Sequence, residues 1–112
     1  MSLDNPNTVD AMGVERKSGL VVLTIADAWD WCDEHAHLIA LQAKLNSYFR
    51  FIETGEVFGS YPEAKGRALV IDLINRFPPP ATVDDFLKNA EAAAAQLGVT
   101  MRHRVMPNDL CG

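Results

Sequence analysis

The sequence predicts an α+β fold in the order β-β-α-β-α-β, a four-stranded sheet with two helices packed on one face. Three observations predict it. Two nearly continuous apolar runs, LVVLTIA at 20–26 and ALVIDLI at 68–74, have the length and branched composition of strands inside a sheet. Two longer segments repeat apolar residues at spacings of three and four, which places them on one side of a helix. Residues 99–105 alternate apolar and polar, as a half-exposed strand does.

Taken in order, residues 1–8 read as a loose arm, 9–106 as a single α+β domain and 107–112 as a tail. Segments 9–15 and 20–26 form a hairpin, because the Ser18-Gly19 pair between them marks a turn. A helix is expected over 31–54. Leu38, Leu41, Leu45, Tyr48 and Ile52 make its buried stripe, and Phe49 widens it. Asp30 or Asp27 is the expected N-cap, and Gly55 the stop. Residues 56–66, EVFGSYPEAKG, read as a long loop. The third strand spans 67–77 and ends at Pro78-Pro79-Pro80, since proline cannot donate to a ladder. Thr82 is expected to open the second helix with Asp85 completing a capping box. Val83, Phe86, Leu87, Ala90, Ala94 and Leu97 are its inner face, and Gly98 closes it. With both helices on one side, the other sheet face lacks a cover. Val21, Leu23 and Ile25, with Val70 and Ile74, are expected there, and such a face invites self-association as an isologous dimer.

Composition narrows the function. The chain has 112 residues and a formal net charge of −5, which disfavours nucleic acid as a partner because phosphate binding needs positive charge. No apolar run is long enough to cross a bilayer and the first residues do not read as a secretory signal, so no membrane partner and a cytoplasmic location are expected. The two cysteines, Cys32 and Cys111, are expected as free thiols.

Residues 27–38, DAWDWCDEHAHL, concentrate chemistry-bearing side chains. A metal site would need three or four convergent ligands. His35 and His37 stand two apart, on different sides of a helix, and no second ligand pair exists to complete a set. No metal or other cofactor is therefore expected, and these residues read as an acidic helix start. Neither a nucleophile elbow nor a phosphate loop occurs, and no catalytic residue is assigned. The functional reading of the segment is an interface of Trp29, Asp30, Trp31, Asp33 and Glu34, aromatic anchors with an acidic rim. Asp72 interrupts the third strand and needs a partner, for which Arg102 or Arg104 is placed.

The stretches DNPNTVDAMGVERKSGLVVLTIAD, HLIALQAKLNSYFRFIETGE and YPEAKGRALVIDL together resemble a family of small bacterial proteins known only as a domain of unknown function. The resemblance runs to about the third strand. It implies a bacterial, cytosolic, single-domain protein and supplies no activity, cofactor or site residue. The reading that follows is a non-catalytic protein-interaction module that self-associates as a homodimer, with room for an unidentified protein partner. The alternative is a small-ligand-binding protein or enzyme using Tyr61, Arg67, Asp72 and His103, between the 56–66 loop and the sheet.

Overall fold

The computed structural model describes residues 9–106. The expected arm at 1–8 and tail at 107–112, with Cys111, lie outside the described residues. The elements are β1 (Ala11–Val14), β2 (Val21–Asp27), α1 (Glu34–Glu53), α2 (Glu56–Ser60), β3 (Leu69–Asn75), α3 (Asp84–Gln96) and β4 (Thr100–Val105). The sheet order is β1-β2-β3-β4. β1 runs antiparallel to β2, while β2, β3 and β4 are parallel. The α+β reading holds, and both apolar runs are inner strands. Gly19 lets the first turn close, with φ 74° and its N–H donating to Glu15 O at 2.8 Å.

Register fixes which side chains face which layer. Val21, Leu23, Ile25 and Asp27 stand opposite Leu69, Ile71, Leu73 and Asn75. All eight are buried, and the six apolar ones join the core with Leu41, Leu45 and Leu87 from the helices. This corrects the expectation that Val21, Leu23 and Ile25 line the uncovered face together with Val70 and Ile74. In a parallel pair, opposed residues share a face, so Val70 and Ile74 go with Val22 and Ala26. A run that is apolar on both sides carries no phase of its own; contact with the helices sets it.

The inner face of α1 is less apolar than its spacing suggests. Its buried residues are His37, Leu41, Lys44, Leu45, Tyr48 and Ile52. Lys44 meets a carboxylate: its Nζ lies 3.0 Å from Asp10 Oδ1. Asp10 Oδ2 accepts from Ala26 N at 2.9 Å, so one carboxylate ties the entry of β1 to β2 and to α1. The Tyr48 hydroxyl donates to Thr24 O at 2.5 Å and accepts from Asp10 N at 2.9 Å. Burial pushes the phenol well above its usual range, which keeps it a neutral donor.

Three boundaries differ from expectation. Asp33, not Asp30 or Asp27, caps α1, with its side chain accepting from Ala36 N. Asp27 is still in the strand, and Asp30 accepts from Cys32 N one turn early. Residues 56–66 are not an open loop: α2 and a 3-10 turn at Pro62–Ala64 fill the connection and bury Val57 and Ala64. Thr82 sits in a 3-10 turn before α3, which has no side-chain cap. Its hydroxyl donates instead to the Glu34 carboxylate, at 2.9 and 3.0 Å from the two oxygens, joining the starts of the two long helices.

Removing the Tyr48 hydroxyl tests the lock at the start of β1. Tyr48→Phe keeps the ring and deletes two hydrogen bonds, so urea unfolding should show a loss of about 1–2 kcal/mol. The fully buried Leu41 supplies a reference: Leu41→Ala should cost about 2–5 kcal/mol. A Tyr48→Phe chain as stable as the original would show that the hydroxyl contributes nothing.

Candidate functional site

The segment 27–38 wraps over the carboxyl ends of β2 and β3. Asp27 is the last residue of β2 and falls in phase with Ile25, so its carboxylate points under the helix layer. Its Oδ2 lies 2.5 Å from His37 Nε2 and accepts from Asn75 Nδ2 at 3.0 Å. Its Oδ1 accepts from Trp29 N at 3.1 Å. His37 Nδ1 lies 2.9 Å from Asp30 O, so both ring nitrogens face oxygen atoms. Trp31 stacks on the imidazole at 3.6 Å and 14°, and its Nε1 donates to Phe77 O at 3.1 Å. Trp29 tilts against the same ring at 5.7 Å.

This corner holds both nitrogens of a buried histidine. An aspartate-histidine pair does proton work when one ring nitrogen faces a nucleophile or substrate. Here Asp27 holds one nitrogen, a backbone carbonyl holds the other, and the ring is buried. His37 is therefore not an ordinary first-turn residue, as its position beside His35 suggests. Among the described residues, no group of three or more His, Cys, Asp or Glu gathers as a metal ion requires. Asn75 Oδ1 is buried without a donor. Turning the amide over would point that oxygen at Asp27, so the carboxylate fixes its orientation.

The five residues read as an interface share this end of the molecule and differ in exposure. Trp29 and Trp31 are half-buried and spent on His37, while Asp30 and Asp33 are exposed. Glu34 is engaged by Thr82. A shallow hollow of about 370 Å³ lies against Trp29, Asp30 and Asp33. The Cys32 thiol is exposed, and its hydrogen bond to Asp30, followed by the charge of that carboxylate, pushes it above the usual thiol range.

Tyr61, Arg67, Asp72 and His103 do not line one cleft. Arg67 closes the start of β3, donating to Gly19 O and Glu63 O at 3.1 Å each. His103 stands opposite Leu73, on the helix side, and its Nε2 lies 3.3 Å from Glu91 Oε2 of α3. Asp72 stands opposite Thr24 and Arg102, on the other side of the sheet.

That other side carries the most developed polar cluster. Among the described residues no helix lies over it. Ala11, Gly13, Val22, Thr24 and Ala26 form a low floor toward β1, and Asp72 is buried at its centre. The guanidiniums of β4 lie over the carboxylate. Arg102 Nε is 3.5 Å from Asp72 Oδ1, and Arg104 Nη2 is 3.4 Å from Oδ2. The pairing expected for Asp72 is thus made by both arginines. Arg102 Nη2 also reaches Glu15 Oε2 at 3.4 Å, and Glu15 accepts from Ser18 Oγ at 2.6 Å. The Ser18 hydrogen bond, then Arg102, hold the Glu15 carboxyl below its usual range. Glu15 carries no signal in the sequence, because it reads only as the polar last residue of the first extended segment. Its role appears only when β1 and β4, the two edges, are seen to share one face.

Two measurements follow. Asp27→Ala deletes the acceptor of His37, Asn75 and the Trp29 amide together, so it should lower stability by about 3 kcal/mol or more in urea. In a Cys111→Ser chain, the alkylation rate of Cys32 should rise with pH to a midpoint above that of an unperturbed thiol. Asp30→Asn should move the midpoint down, since less negative charge favours the thiolate; an unmoved midpoint would refute the assignment.

No curated protein and no solved structure matches the chain. A family model does match, over residues 1–107, and its description is a family of unknown function, DUF6572. With nearly the whole length matched, the chain belongs to the DUF6572 family.

Proposed function

We propose that this chain is a non-catalytic interaction module that pairs with a second copy of itself through the bare face of its sheet. The observation that carries the reading is the one-sided architecture. α1 and α3 contribute to the core beneath β2 and β3, and among the described residues no helix layers the opposite face. A second copy fits by charge. The face holds two cations, Arg102 and Arg104, and two anions, Glu15 and Asp72. It is therefore neutral in a chain of net charge −5, and two such faces meet without net repulsion. A two-fold axis along the strands brings the Glu15 edge of one copy over the Arg104 edge of the other.

Size sets the strength. Four strands about 4.8 Å apart, with six residues of about 3.3 Å each, give an outline of about 400 Å². Counted on both copies that is about 800 Å², below the standard size of specific interfaces, so a weak, transient pairing is expected. A bacterial, cytoplasmic setting belongs to the same reading. Its support is the resemblance of the first two strands and α1 to small bacterial proteins, together with the free thiol of Cys32.

Sedimentation equilibrium over a micromolar concentration series tests the proposal. A monomer-dimer equilibrium is expected. Thr24→Arg, in the middle of the bare face, should leave only monomer without lowering the melting temperature. Ile39→Arg, on the exposed side of α1, should change nothing. A monomer at every concentration, or a dimer disrupted by Ile39→Arg instead, would sink the reading.

A further inference from the structure

The bare face is built around a carboxylate whose hydrogen bonding is incomplete. Asp72 is 2% exposed, yet its Oδ1 is buried with no hydrogen bond. A buried carboxylate oxygen without a donor is costly. The group best placed to supply one is Arg102, whose Nε stands 3.5 Å away. The guanidinium is stretched between two carboxylates, with Glu15 at 3.4 Å on its far side. Arg104 meets Asp72 at 3.4 Å. All three distances exceed the roughly 2.7–2.9 Å of a well-made charge-assisted hydrogen bond. Each guanidinium has five donors, so most of this capacity is unspent.

The space beside them is open. Asp72, Arg102 and Arg104 border a hollow of about 410 Å³, floored by Ala11, Gly13 and Thr24. The small floor residues come from β1 and β2, so the arginines overhang the hollow from the opposite edge. Glu15 hangs from the hairpin turn by Ser18 and projects its carboxylate onto Arg102 from the rim. It is a side chain of the chain itself, standing where an oxoanion would stand.

We propose that Arg102 and Arg104 form a binding site for a small oxoanion, which displaces Glu15 from Arg102. Asp72 is the positioning residue. When the incoming anion replaces Glu15, Arg102 turns inward, its Nε closes on Asp72 Oδ1, and its outer edge pairs with the ligand. Arg104 takes the second ligand oxygen from its exposed side. A carboxylate and a phosphate share this chemistry, and the hollow leaves room for a small body behind either. The site lies within the face assigned above to a second copy, so ligand and copy compete. The site does not depend on that pairing, and it forms in the monomer.

The test uses the full chain at low concentration and follows ¹H–¹⁵N spectra during titration with succinate and, separately, inorganic phosphate. Saturable shifts are expected at the Arg102 and Arg104 Nε–Hε groups and at the Gly13 and Thr24 amides. Glu15→Gln should tighten binding by about three-fold to ten-fold, because it removes the competitor. Arg104→Ala, an exposed change that leaves the core intact, should weaken it by about five-fold or more. In Asp72→Asn the Arg102 Nε–Hε resonance should lose its shift on binding while the chain stays folded, and Asp72→Glu should restore it. Tighter succinate than phosphate binding identifies a carboxylate site, and the reverse order a phosphate site. Unchanged affinity in Glu15→Gln, or wild-type affinity in an Arg102→Ala/Arg104→Ala chain, would overturn the proposal. These results are independent of sedimentation: a dimer can be absent altogether without altering the Glu15→Gln effect measured on the monomer.

Discussion

A helix can bury a histidine and a lysine on its inner face only if the layer beneath supplies partners for them, and the rest of this structure depends on that requirement. His37 and Lys44 are both buried in α1; β2 supplies Asp27 to one, and Asp10, just before β1, pairs with the other. The two positions are seven residues apart, which is two turns, or about 10 Å along the helix. Sliding α1 by one turn would part both pairs at once. Apolar side chains alone would tolerate such a slip, because one leucine fits much like the next. Buried polar pairs trade stability for a single arrangement. They fix α1 along β2, and through Asp10 they fix the short strand β1 as well.

The consequence is a division of labour between the two faces of one sheet. The helix side is closed, with apolar residues in register and its polar groups largely satisfied. The opposite side keeps a carboxylate short of one donor, two arginines at long range and a floor of small residues. Rigidity on the first face gives the second its geometry. β3 is held between parallel neighbours on both sides, so Asp72 cannot move toward the arginines, and adjustment falls to the flexible side chains.

Much of this fold is legible in the sequence, and the parts that are not share a cause. Strand and helix order follow from apolar spacing, and the stops at Gly55 and the triple proline follow from backbone chemistry. The polar members of the α1 stripe do not show, because a count of apolar residues skips them. The signal is nonetheless present: His37, Leu41, Lys44, Tyr48 and Ile52 follow one another at spacings of three and four, and only two of the five are not apolar or aromatic. The face of β2 is hidden for the opposite reason, since VVLTIA is apolar on both sides and gives alternation nothing to act on. Asp72 with Arg102 and Arg104 could be read, since a charge inside an apolar strand demands a partner. Glu15 could not. It becomes part of the cluster through a sheet order that brings side chains from the two edges together over the middle.

The chain has two tryptophans, and both lie against His37. The intrinsic emission of this protein is therefore a local signal. Trp31 is stacked on the His37 ring, so its emission reports whether the corner over β2 and β3 is shut. The bare face holds no tryptophan, and events there are dark. Fluorescence will register opening at the start of α1 before global unfolding, and will pass over whatever settles on the other side of the sheet.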